Sequence, residues 1–185
     1  STFVVTFNSN GGTDIESVFV TEGSLVQKPD DPTKSATVEF TFSFACWTLN
    51  GETFDFNKPV TENIELIAKW TETKNSYTAT FVVDGADYSS ETVEYGLTFA
   101  APIAPTKQAT AEYTYTFNGW LLDGVAYDFA TEVTGNITLV ADWTATKNTY
   151  TATFVVDGTD YSSETVEYGL TFSEPVAPTK EGTTE

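Results

Sequence analysis

Histidine is absent from this 185-residue chain and cysteine occurs once, at Cys46. Without imidazole, acid–base chemistry near neutral pH loses its usual group. One thiol excludes an intrachain disulfide and a CxxC metal site. Basic residues are scarce as well, 8 against 27 acidic ones, for a formal charge of −19. Nucleic acid is therefore a poor partner, because phosphate binding rests on Lys and Arg. Anionic membrane surfaces are disfavoured for the same reason. No stretch approaches 18 apolar residues, and the first residues lack the basic, apolar, small-residue progression of a signal peptide, so no membrane insertion of this segment is expected. The acids are scattered through turns and strand edges rather than gathered in one run. They read as self-repulsion on an exposed surface. No loop carries the ligand spacing of a calcium site, and neither a metal nor any cofactor is expected.

What is present is repetition. Tyr77 to Lys107 is written again at Tyr150 to Lys180 with four differences: Ala86/Thr159, Ala100/Ser173, Ala101/Glu174 and Ile103/Val176. The offset of 73 residues also carries Trp47 to Trp120, Trp70 to Trp143 and Pro32-Thr33-Lys34 to Pro105-Thr106-Lys107. That period exceeds the usual solenoid rung, so each copy is expected to fold as a small domain. The expected division is unit 1 at 1–71, a linker at 72–76, unit 2 at 77–144, a linker at 145–149, and the first half of unit 3 at 150–185. An opening Ser and an end inside a repeat suggest a piece of something longer. A domain of about 60 to 70 residues buries only about 60% of its surface, so the four tryptophans are read first as core.

Each unit begins with alternation, Phe3, Val5 and Phe7 against Val4 and Thr6, which breaks at Asn8-Ser9-Asn10-Gly11-Gly12. Strand followed by Asn-Gly predicts a hairpin, repeated at Asp84-Gly85 and Asp157-Gly158. The first unit is longer here by one residue. After the return strand, prolines at 102 and 105, matched at 175 and 178, allow at most a short helical turn. A third strand follows at Phe40, Phe42 and Phe44, or Tyr113, Tyr115 and Phe117. Its parity then switches, since Trp47 and Trp120 follow at the other phase. A β-bulge at Ala45-Cys46 or Asn118-Gly119 would absorb the slip. Cys46 stands where the next copy has Gly119 and is read as a tolerated small residue, since no histidine exists to activate it. Another turn signal comes at Asn50-Gly51 or Asp123-Gly124. The last strand has Ile64, Leu66, Ala68 and Trp70 inward, or Ile137, Leu139, Ala141 and Trp143. The linkers contain neither Gly nor Pro, which predicts stiff connections between units.

The Pro-Thr-Lys triplets, the strand Phe42-x-Phe44-x-x-Trp47, the segment Asp55-Phe56 through Val60-Thr61 to Asn63-Ile64-x-Leu66, and the closing Trp70-Thr71 recur at the 73-residue offset. Together they resemble the Listeria–Bacteroides repeat, or internalin B-repeat. Departures are the residues around Cys46 and Gly119 and the lost Gly-Gly turn in the later copies. The resemblance implies a mainly β fold, with tandem small β-grasp-like (ubiquitin-like) domains, each a mixed or antiparallel sheet. It also implies secreted or wall-attached bacterial proteins at the cell surface, and no catalytic residues.

The first functional reading is therefore a non-catalytic stalk or spacer of a surface adhesin. A second is a binding module for a protein or glycan of a host or neighbouring cell, with Tyr88 and Tyr161 beside the Asp-Gly turns as candidate contacts. A third comes from the half repeat. Its Tyr150, Ala152, Phe154 and Val166 lack the tryptophan strands that would cover them, and a lone hairpin is marginal in water. Self-association through residues 148–185 by strand addition would complete it, giving a filament. An enzyme is the weakest reading: no Asp/Glu pair recurs at an acid–base spacing, and the repeated lysines, Lys34, Lys107, Lys180, Lys74 and Lys147, fall in turns and linkers, which disfavours an intramolecular Lys–Asn or Lys–Asp isopeptide crosslink.

Overall fold

The computed structural model describes residues 1–182. Among them there are twelve strands and no helix. The chain divides into two compact units, one of Ser1–Thr78 with Glu91–Phe99 and Ala130–Asn136, the other of Ala79–Ser90, Ala100–Phe129 and Ile137–Glu185.

The first unit contains β1 (Thr2–Asn8), β2 (Ile15–Thr21), β3 (Phe40–Leu49), β4 (Glu52–Thr53) and β5 (Ile64–Lys74). They form a mixed sheet in the order β2-β1-β5-β3-β4. The alternation of β1 puts Val5 and Phe7 on the core face, where β5 pairs alongside in parallel with Val5 opposite Ile64 and Phe7 opposite Leu66. Val5, Leu66 and Ala68 are fully buried, as is Trp47. Trp47 meets Phe7 edge-on at 5.1 Å and Phe44 at 5.5 Å. A bulge lets residues three apart share that face: Phe44 pairs with Trp70, and then Cys46 pairs with Lys69. The parity switch in the sequence is this bulge.

The hairpin tip holds Asn10 and Gly11 at positive φ, as a tight turn requires. Gly12 is glycine for another reason. A Cβ there would stand 2.5 Å from the ring of Trp70, whose indole N–H donates to the carbonyl of Ser9 at 3.0 Å. The proline-containing stretch after β2 is irregular. It is pinned by Gly23 N to Val60 O and Val60 N to Ser24 O, both 2.9 Å, with Val26 and Val60 buried.

The remaining strands repeat the plan. β6 (Ser76–Val83), β7 (Ala86–Glu94), β8 (Tyr113–Leu122), β9 (Val125–Ala126) and β10 (Ile137–Lys147) take the order β7-β6-β10-β8-β9. In the second unit β10 runs parallel to β6, with Ile137 opposite Ala79 and Leu139 opposite Phe81. Trp120 is buried between Phe81 at 4.9 Å and Phe117 at 5.4 Å. Its bulge falls at Asn118, between the Phe117–Trp143 and Gly119–Asp142 pairs. The shorter hairpin has a cost. The indole nitrogen of Trp143 is buried without a hydrogen-bond partner, whereas its equivalent Trp70 reaches Ser9. The same unit ends in a two-stranded sheet of β11 (Thr149–Val156) and β12 (Thr159–Glu167).

Candidate functional site

Strand structure runs through most of the residues expected to be linkers. β5 continues to Lys74 and β6 starts at Ser76, so Asn75 alone separates them. Asn75 is tied on every side. Its amide N–H donates to Glu39 O at 2.8 Å, its carbonyl accepts from Tyr95 N at 2.8 Å, and its side-chain Nδ2 donates to Thr37 O and Val38 O at 2.8 and 3.1 Å. The Tyr77 hydroxyl adds a donor to Val38 O at 2.6 Å.

The second unit contains the same arrangement around Asn148, which alone separates β10 from β11. Asn148 N reaches Glu112 O at 2.8 Å and its carbonyl accepts from Tyr168 N at 2.8 Å. Its Nδ2 donates to Thr110 O and Ala111 O at 2.8 and 3.0 Å, and the Tyr150 hydroxyl donates to Ala111 O at 2.6 Å. Such a cluster satisfies backbone groups at the break between strands that a free linker would leave to water. The sequence signal for it was the asparagine shared by both linkers at the 73-residue offset.

The repeated lysines also have defined places. Lys107 Nζ sits 2.7 Å from Asp84 Oδ1 at the hairpin tip and 4.9 Å from the ring centre of Tyr115. Lys34 donates to Asn10 O at 3.3 Å and stands 4.5 Å above Phe42, while Lys180 lies 3.2 Å from Asp157. The Pro-Thr-Lys triplet is thus a latch on the hairpin tip. Sequence reading placed these lysines but not their partners.

Tyr88 and Tyr161, the candidate ligand contacts, are each about 43% exposed. The Tyr88 hydroxyl donates to Ile103 O at 3.1 Å, and its ring lies 6.1 Å from that of Trp120. Tyr161 makes the equivalent bond to Val176 O at 3.0 Å. Its ring lines a surface cavity of 430 Å³ together with Phe154, Ser162, Glu164 and Pro175. Phe81 and Tyr88, the counterparts of Phe154 and Tyr161, both face Trp120. The cavity therefore corresponds to the seat that a tryptophan fills in the preceding repeat.

Of the four residues expected to lack cover, Ala152, Phe154 and Val166 are half-buried, whereas Ala79 and Phe81 at the equivalent places are fully buried. Tyr150 is exposed, at 46%, and its hydroxyl donates to Ala111 O as part of the joint. Residues 183–185 of the expected self-association segment lie outside the described residues. Cys46 is half-buried at the bulge, with Sγ 3.7 Å from Thr53 Oγ1. Among the described residues no group of three or more His, Cys, Asp or Glu is placed to hold a metal, and no helix is long and apolar enough to cross a membrane.

The profile of the Listeria-Bacteroides repeat domain matches residues 3–69, 77–142 and 150–184. The chain belongs to the Listeria-Bacteroides repeat family. It is similar to a protein of Evansella cellulosilytica that carries a provisional membrane-protein name, with 36% identity over 97% of this chain and 26% of that protein. A second protein of the same organism, provisionally named a Gly-rich membrane protein, is 34% identical over 97% of this chain and 20% of its own length. Internalin H of Listeria monocytogenes is 39% identical over 74% of this chain and 25% of its own length. The chain thus spans about a quarter or less of these relatives. The matched segments are the three periods that the 73-residue offset marks out.

Proposed function

We propose that this chain is a non-catalytic, extracellular spacer segment of a bacterial surface adhesin, in which successive Listeria-Bacteroides repeats are joined stiffly rather than strung on flexible linkers. The observation that carries this reading is the joint at Asn75, built again at Asn148 from the same donors and acceptors. A spacer needs transmitted direction, and a one-residue joint with four hydrogen bonds on the joint residue restricts bending as a Gly/Ser linker does not. Placement at the cell surface draws support from the likeness to Internalin H and to proteins named for the membrane. The parallel β1/β5 pairing at the centre of the mixed sheet supports a β-grasp-like unit. The absence of histidine and of any acid–base pair that recurs between copies supports a role without catalysis.

The test is the distance distribution between spin labels at Ser43→Cys and Thr116→Cys in a Cys46→Ser background, read by electron–electron resonance. A narrow distribution that broadens in Asn75→Ala is expected. A wild-type distribution as broad as that of a Gly/Ser-linked control would overturn the reading.

A second reading is favoured by the 430 Å³ cavity beside Phe154 and Tyr161. That seat, with the edge of β11 opposite β12, would accept from another chain the equivalents of β10, which pairs with β6, and of β8, which carries Trp120, so that copies join end to end by strand addition.

A further inference from the structure

The second copy of the repeat contains a cavity of 330 Å³ walled by Phe117, Trp120, Tyr127 and Phe129, with Asn118 and Asp142 on its lining. Tyr127 and Phe129 meet edge-on at 5.0 Å, as Phe117 and Trp120 do at 5.4 Å. The volume is that of a small-ligand site, and its composition of aromatic walls with a few polar groups is the usual one.

The cavity is open because small residues surround it. Ala101, Gly119 and Ala126 line it. The first copy has Lys28, Cys46 and Thr53 at those places, and there Cys46 and Thr53 fill the space between them, Sγ to Oγ1, at 3.7 Å. Two further differences change the charge. Asp142 stands where the first copy has Lys69, and Asn118 where it has Ala45. The Asn118 amide donates to Asp142 Oδ2 at 3.0 Å and to Thr144 Oγ1 at 2.9 Å, which holds the carboxylate in place.

The first copy also shows what this surface accommodates. There the Lys28 ammonium lies 5.9 Å over the ring of Phe44, the counterpart of Phe117, and 2.6 Å from the carboxylate of Asp31. The second copy has kept the ring, has no lysine at either place and has a carboxylate on β10, Asp142, instead of Asp31 of the irregular stretch. A cation supplied from outside would restore the interaction, since aromatic faces and a fixed carboxylate both attract positive charge. Anions are disfavoured by Asp142 and by the chain's charge of −19. Burial, and then the neighbouring Asp128 carboxylate, raise the Tyr127 phenol above its ordinary range.

We infer that the cavity walled by Phe117, Trp120, Tyr127 and Phe129, with Asp142 on its lining, is a binding site for an alkylammonium group. Its ammonium takes the place over Phe117 that Lys28 occupies over Phe44, and its apolar stem fills the space left by Ala101 and Gly119. The inference goes beyond the spacer reading and does not depend on it. A primary ammonium would come from a lysine side chain, a quaternary one from a choline-type headgroup.

The test is a titration of the full ¹⁵N-labelled chain, followed by amide and indole resonances, with butylammonium, choline and methyl glucoside at matched ionic strength. Saturable shifts at Asn118, Gly119 and the Trp120 indole are expected with at least one ammonium and not with the glucoside. The tighter of the two ammonium probes identifies the source. Asp142→Asn should weaken binding by about tenfold. Ala101→Lys, which tethers a lysine as the first copy does, should move the same resonances and abolish binding of the added cation. A chain that shows no saturable response to either ammonium, responds equally to the glucoside, or binds undiminished in Asp142→Asn or Ala101→Lys overturns the inference. Ala101 is exposed and Asp142 half-buried, and unchanged dispersion of the β6 and β7 resonances, in the same copy but away from the cavity, reports that the variant is folded.

Discussion

Asn75 reaches back 37 residues to donate to the carbonyl of Val38 at 3.1 Å, and Tyr77 donates to that same oxygen at 2.6 Å. One acceptor thus serves donors on both sides of the break between β5 and β6. Removing the Asn75 amide loses two bonds to the carbonyls of the exposed residues Thr37 and Val38. At about 1 kcal/mol net for each, Asn75→Ala should lower stability by about 1–2 kcal/mol. Asn75→Asp should cost at least as much, because a carboxylate cannot donate to Thr37 and Val38. Urea denaturation checks both, with an unchanged m-value expected if only the joint is affected.

The lysine latch separates charge from packing. Lys107 is paired with Asp84, yet Asp84 is more than half exposed, which limits the ion pair to about 0–1 kcal/mol. The same ammonium lies over Tyr115 and Trp143, at 4.9 and 5.7 Å. Lys107→Ala should therefore destabilise more than Asp84→Asn, the difference reflecting stem packing and cation–π contact. High salt should narrow the effect of Asp84→Asn and leave most of that of Lys107→Ala. Equal effects for the two variants would show that the pair acts through charge alone.

These two devices mark where sequence reading stops. The bulge was legible because a parity switch between Phe44 and Trp47 has a local cause, as were the turns, where Asn10, Asn50, Asp84, Asp123 and Asp157 adopt positive φ. The tryptophan seat was legible in outline, since Trp47 and Trp120 are the largest residues of a small core. Partners 23 to 39 residues apart were not. Lys107 with Asp84 and Tyr150 with Ala111 are set by how an irregular, proline-containing stretch returns over the sheet, and such a path has no periodicity to read. The aromatic cavity was hidden differently. It arises from what Ala101 and Gly119 lack, and a missing side chain shows only once its neighbours are placed.

Trp120 should be the most sensitive position of the second copy. It is buried, meets Phe81 and Phe117 edge-on, and stands 6.1 Å from Tyr88. Trp120→Ala is expected to cost about 3–5 kcal/mol through lost burial and a cavity. In a copy of this size that is a large share of its stability. Hydrogen exchange should show faster exchange in β6, β8 and β10 with β1, β3 and β5 still protected. Loss of protection throughout the chain would mean that the copies unfold as one.

The same tryptophan sets the third hairpin apart from the second. Phe154 and Tyr161 repeat Phe81 and Tyr88 in sequence and place, but the space that Trp120 fills between the earlier pair is a 430 Å³ cavity beside the later one. A hairpin with one such face uncovered is marginal in water, so the amides of β11 and β12 should exchange faster than those of β6 and β7 in dilute solution. A peptide of residues 113–147, which carries the Trp120 strand and the strand that pairs with Phe81, should slow that exchange when added in trans. The Trp120→Ala peptide should not, because the seat would stay empty. If raising the chain's own concentration about a hundredfold gives the same protection without peptide, a second copy supplies the missing strands and copies join end to end through β11. If only the peptide protects, the seat is specific for the repeat's own second half and strand exchange between intact copies is too costly, since each Trp120 is already held by Phe81 and Phe117. If neither protects, the likeness between the two hairpins does not extend to what covers them.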